Sequence, residues 1–174
     1  EHYDPEADLE PFLRQCDIKA RTAGDEIISA TLYGALGLLH WKKTGTPDKA
    51  ELYFRRVLGK DTHLEAKIQE FYVDFYAQRG NWRRLEQFLM EAAGQPEAPE
   101  EIIPIKRDLA RRALAADKPD KAISFWAAVA ELSPGDAEAE ESLLGLYQQV
   151  GKWHSLVDLL NKRAERLGPE DVNT

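Results

Sequence analysis

Apolar residues in this chain recur every three or four positions, and glycine or proline cuts these runs at intervals. Leu9, Phe12, Leu13, Cys16 and Ala20 share one face at that spacing, which predicts a helix over 4–22 with Asp4 as its cap and Pro5 in its first turn. The pattern resumes at Asp25 and runs to Thr44, where Gly45 breaks it. Thr46 and Pro47 open a third helix as cap and first-turn proline, with Ala50, Tyr53, Phe54 and Val57 as its inward stripe and Gly59 as its end. Thr62-His63-Leu64-Glu65 reads as a capping box, and the helix it starts turns Ile68, Tyr72, Phe75 and Tyr76 inward as far as Arg79. Gly80 stops that helix, and Asn81 caps a successor reaching Ala93.

Gly94 to Ile103 is the one long connection, read as an inserted surface turn. Its end is placed by Pro104: a proline inside a helix costs ~3 kcal/mol, but at the first position almost nothing, so the next helix is predicted over 103–116. Another helix begins at Pro119 and ends before Ser133-Pro134-Gly135. Asp136 caps the next, with Glu138, Glu140 and Glu141 set favourably against the helix dipole. Gly151 separates it from a last helix over 152–166, and 170–174 read as a frayed tail. Strand-like alternation is missing throughout. The expectation is an all-α chain of antiparallel helix pairs.

Two short words recur at nearly one long interval. Pro47-Asp48-Lys49-Ala50 returns as Pro119-Asp120-Lys121-Ala122, 72 residues on, and Gly80-Asn81-Trp82 returns as Gly151-Lys152-Trp153, 71 residues on. Aligning them yields four helix–turn–helix units, at about 31–64, 66–99, 103–135 and 137–169. In the last unit Leu143-Leu144, Tyr147, Gly151, Trp153 and Leu160 stand at the first-helix, turn and second-helix signature positions of a known repeat. Ala50 and Ala122 stand at its small-residue position, Phe54 and Trp126 follow four residues on, and Pro134 is at its terminal proline. On these residues the chain resembles the tetratricopeptide repeat family. It departs from the pattern where Leu85 and Leu156 replace the alanine, where Ala113 replaces the tyrosine, and where Pro96 and Pro169 are shifted. A related helical-hairpin repeat, the half-a-TPR type of RNA-processing scaffolds, fits almost as well. The resemblance implies a right-handed α-solenoid: four repeats within 25–169, preceded by an orphan or capping helix in 1–24. Stacked hairpins share one continuous core, in which Trp41, Trp82, Trp126 and Trp153 are expected as the largest members.

Composition narrows the function. The net charge is −8, against the basic stripe that a phosphate backbone demands, so no nucleic-acid partner is expected; Lys106-Arg107 and Arg111-Arg112 are the densest basic cluster, and Arg55-Arg56 and Arg83-Arg84 are scattered pairs. The apolar stretch 27–41 is broken by Ser29, Thr31 and His40 and falls short of the ~20 residues a span needs, so no membrane insertion is expected. Met90 is the only methionine and the chain begins at Glu1, so a native N-terminus is expected to be missing; a cytoplasmic location is the working expectation. Cys16 alone can form no intrachain disulfide. His2, His40, His63 and His154 lack the i, i+3 or i+4 partners of a helical metal site and read as surface or edge residues. Without a phosphate loop or an acid–base pair in a recognisable setting, no enzyme, cofactor or metal is expected.

What the resemblance implies is a protein partner, a peptide or a helix, in a concave groove lined by the first helix of each unit. Carried over, the groove takes Leu32, Ala35, Leu39 and Lys42; Lys67, Glu70, Asp74 and Ala77; Arg107, Arg111 and Leu114; and Glu138, Glu141, Gly145 and Gln148. Arg107 and Arg111, one turn apart, would hold a partner's carboxylate, or else pair with Glu70, Asp74 or Glu141. The family's clamp for chaperone C-termini is not expected, because Leu39 and Phe71 stand where it has asparagines. The alternative is a structural spacer or self-assembly segment of a larger repeat protein, joined through its terminal helices.

Overall fold

The computed structural model describes residues 5–60 and 63–168. Among the described residues there are nine helices and no strand. They are α1 (Pro5–Thr22), α2 (Glu26–Lys42), α3 (Pro47–Phe54), α4 (Glu65–Gln78), α5 (Trp82–Ala92), α6 (Pro99–Ala115), α7 (Pro119–Leu132), α8 (Ala137–Val150) and α9 (Trp153–Leu167). Asp4, Thr62 of the expected capping box and the 170–174 tail lie outside the described residues. The chain forms two compact units, Glu1–Phe75 and Tyr76–Thr174, divided within α4.

In the first unit α2 is gripped from several sides. Asp25 caps it, accepting from the amides of Ile27 and Ile28 at 2.8 and 3.0 Å. Ser29 Oγ ties the turn back to the Ala20 carbonyl of α1 at 2.8 Å. Two glycines set how closely α2 is approached. A Cβ on Gly34 would lie 2.5 Å from Leu64 Cδ1, and one on Gly37 would lie 2.6 Å from the Phe54 ring. Phe71 is the centre of the core: it is fully buried, with Phe54, Trp41 and Phe75 ring centroids 4.7, 5.4 and 5.1 Å away. Clustered aromatics of this geometry add to area burial. On α1 the inward residues are Leu13 and Ala20, whereas Phe12, assigned to that face from spacing, is 55% exposed.

The second unit packs through small residues. Ala110, Ala113 and Ala122 are fully buried beside Leu109 and Val129, so α6 and α7 approach closely. Asn81 caps α5 and Asp136 caps α8, the latter accepting from the Ala139 amide at 2.9 Å. Gly151 ends α8 at φ 71°, a left-handed conformation that suits glycine. Trp82 and Trp126 are core residues, and Trp82 meets the Phe125 ring edge at 6.4 Å.

Four expectations are corrected. Helix α6 begins at Pro99, not near Ile103, so Pro104 lies inside it and the connection shrinks to 94–98. Pro99 takes the first position, Glu100 and Glu101 suit the positive helix end, and the carbonyl that Pro104 leaves without an amide belongs to exposed Glu100, where water can serve it. Thr46 stands at the N-cap of α3 but makes no side-chain cap bond, because its hydroxyl is turned to His40 and Thr44. Trp153 is 61% exposed and Leu160 46%, so neither is core; Leu156 is the buried residue of α9. His40, read as a surface or edge residue, is buried.

Candidate functional site

The nine charged or amide groove residues divide between the two units, Lys42, Lys67, Glu70 and Asp74 in the first and Arg107, Arg111, Glu138, Glu141 and Gln148 in the second. Lys42 Nζ reaches Glu70 Oε1 at 3.2 Å and lies 3.4 Å from the Trp41 ring centroid. Both partners of that pair are half exposed, so the link is weak and exchangeable. Lys67 is exposed and Asp74 half-buried, neither with a side-chain partner among the described residues.

In the second unit the arginines are occupied. Arg107 donates to Asp136, and its Nε lies 3.3 Å from Glu138 Oε2, an electrostatic contact without hydrogen-bond alignment. Arg111 donates to the same Glu138. The carboxylates that hold them are thus the cap and first turn of α8, not the expected Glu70, Asp74 or Glu141. Asp136 does double duty, since its other oxygen caps α8. This arrangement ties α6 to the start of α8; Arg107 is 31% exposed, whereas Arg111 is 62% exposed and engages Glu138 through one nitrogen. Glu141 and Gln148 are exposed and make no contact with these arginines.

The most open apolar surface among the expected residues is on α2. Its buried face is Ala30, Tyr33, Gly34, Leu36, Gly37 and His40. At 100° per residue the opposite face is Ile28, Leu32, Ala35, Leu39 and Lys42. Ile28 is 55% exposed, Ala35 is exposed, and Leu32 and Leu39 are half-buried. A helix apolar on all sides is normally enclosed. This one leaves Ile28 and Ala35 open to solvent. Leu32, Ala35, Leu39 and Lys42 were placed in the groove by family resemblance; Ile28, which extends the row by a turn, was missed, although its i, i+4 spacing to Leu32 carried the signal.

A second accessible row runs along α9. Trp153, Val157, Leu160, Ala164 and Leu167 follow one another at intervals of four and three, and all are exposed. From sequence they are indistinguishable from a core stripe.

Neither surface holds obvious chemistry. Among the described residues no three His, Cys, Asp or Glu side chains gather as a metal site, and no helix is long and apolar enough to cross a membrane. His40 is kept below its ordinary pKa first by burial and then by the charge of Lys49. Tyr53, stacked on it at 5.4 Å, is raised by burial and by Asp17. No protein-family model matches the chain, and no curated protein or solved structure is significantly similar to it.

Proposed function

We propose that this chain is a non-catalytic, tetratricopeptide-like interaction module that receives an amphipathic helix of a protein partner on α2. The observation that carries the reading is the outward row Ile28, Leu32, Ala35 and Leu39, on a helix whose opposite face is already packed. The row extends roughly 16 Å, about three helical turns, and a helix with apolar residues at i, i+3, i+4 and i+7 matches it. Lys42 and Lys43 close one end, both exposed, so the partner carries a carboxylate there. The right-handed stacking of four hairpins is part of this reading, supported by the recurring words and by the close-packed Ala50 and Ala122.

The test is selection of helices from a displayed amphipathic library on the whole chain. Isolates should share an apolar row with an acidic end. They should lose at least about tenfold in affinity for the double variant Ala35→Glu, Leu39→Glu, a change of ~1.4 kcal/mol or more. Circular dichroism should be unaltered, since Ala35 is exposed and Leu39 is not fully buried. Isolates that bind wild type and variant equally would remove the α2 row from consideration.

A second reading, self-assembly, is favoured by the α9 row. A narrow seam at four-three spacing is the pattern of helices that pair along their length. Its occupant is α9 of a second copy of this chain, in an isologous contact.

A further inference from the structure

The first unit contains a cleft that the groove reading does not use. It opens between α1, the corner joining α2 to α3, and the side of α3, with a volume of about 550 Å³. That lies within the usual range for small-molecule sites, roughly 300–1,000 Å³. We infer that this cleft binds a small organic anion with an apolar or aromatic body and a hydroxyl or amine donor.

The charge balance of the walls points to an anion. Arg14, Arg21, Lys49 and Arg56 line the cleft against only Glu10 and Asp17. Arg21 and Asp17 neutralise each other at 2.6 Å, and among the described residues neither Arg14 nor Lys49 has a carboxylate partner. A local cationic excess in a chain of net charge −8 concentrates anions at that place.

The interior supplies directional groups. Thr46 Oγ1 lies 3.0 Å from His40 Nδ1 and 2.6 Å from Thr44 Oγ1. An N-cap hydroxyl ordinarily stabilises its helix by ~1 kcal/mol. Thr46 forgoes that bond to take part in a polar triad at the cleft. Asp17 lines the cleft as a half-buried carboxylate, and its buried Oδ1 has no hydrogen-bond partner. Leu13, Leu52 and the Tyr53 ring supply an apolar wall for the ligand body.

The internal repeat provides an independent argument. Shifted by the 72-residue period, the packing positions persist: Ala50 and Phe54 correspond to Ala122 and Trp126, all buried. Lys49 also persists, as Lys121, but four other cleft positions do not: His40, Thr44, Thr46 and Arg56 correspond to Arg112, Ala116, Lys118 and Ala128. The second copy forms its hairpin without these four side chains, so the polar character of the cleft belongs to the first copy alone.

Amide-shift mapping by NMR on the whole chain tests this. The probes are 4-hydroxyphenylacetate, 4-hydroxyphenyl phosphate and the uncharged 4-hydroxyphenylethanol. At least one anion should shift Thr44, Thr46, Lys49 and Tyr53 saturably in the millimolar range, and the two anions separate a carboxylate from a phosphate preference. The neutral alcohol should not. Lys49→Glu should weaken the response by about tenfold or more, whereas Lys121→Glu, the same word in the second copy, should leave it unchanged; both lysines are exposed, so the fold is retained. No shift with either anion at about 10 mM, equal shifts with the alcohol, or an undiminished response in Lys49→Glu would each overturn the inference. The outcome is independent of the α2 row, because His40 and the row occupy opposite faces of that helix.

Discussion

Glycine has opposite meanings at two helical positions, and alanine substitution reads the difference. At Gly37 a Cβ would fall 2.6–2.7 Å from atoms of the Phe54 ring, which is itself fully buried and has no room to retreat. Gly37→Ala should therefore cost about 1–3 kcal/mol in urea unfolding, the usual range for overpacking. At Gly145 a Cβ would meet nothing within 4 Å, in the interior of α8. Gly145→Ala should stabilise by about 0.5–1 kcal/mol through the lower entropy of the unfolded chain. Burial of His40 adds a pH dependence. Its pKa is lowered in the native state, so the unfolded chain binds the proton more readily as pH falls through its ordinary value of about 6.5. The associated stability is complete above that value and is lost progressively towards lower pH. Unfolding midpoints should decline from about pH 7.5 to 5.5, above the main carboxylate range, and His40→Gln should flatten the decline. An equal decline in the variant would assign the effect to other groups.

At the scale of the element, periodicity located every helix, because a repeating inward face is what each helix needs in order to pack. What it could not settle was competition between two starts. An interior proline forfeits an amide bond, which points to a start at Pro104, yet Pro99 suits a first position equally well. In the structure the forfeited bond faces solvent, and the longer helix keeps Ile102 and Ile103 half-buried. The residual cost should be recoverable: Pro104→Ala should stabilise the chain, by up to ~3 kcal/mol and without moving the start of α6. Unchanged stability would mean that the proline costs the helix nothing at this position. The candidate site was legible in part for a similar reason. Leu32, Ala35, Leu39 and Lys42 share a face by spacing alone, whereas the partners of Arg107 and Arg111 depend on where the start of α8 lies in space, and sequence separation from α6 gives no sign of it. Phe71 shows the same limit. It was compared with a groove position, yet it is the aromatic hub of the first unit, and only the rings of α2 and α3 around it reveal that.

For the molecule as a whole, an exposed apolar row is where a further surface can dock. Among the described residues helix α9 carries such a row. Trp153, Val157, Leu160 and Leu167 remain 46–61% exposed, while Leu156 alone on that helix is buried. Sequence could not distinguish this seam from a core stripe, because the spacing that buries a residue is the same whether or not a further helix arrives to cover it. Two such seams laid together would bury a continuous row of large side chains, with Trp153 as the largest contact. Light scattering should then show a mass that rises with protein concentration in the wild type. The double variant Trp153→Ser, Leu160→Ser should remain monomeric at the same concentrations with unchanged helical signal, since both side chains already face water. The α2 variant Ala35→Glu, Leu39→Glu should associate like the wild type. A wild-type mass that stays monomeric throughout would rule out self-assembly on α9, and association lost only in the α2 variant would transfer the self-contact to that helix.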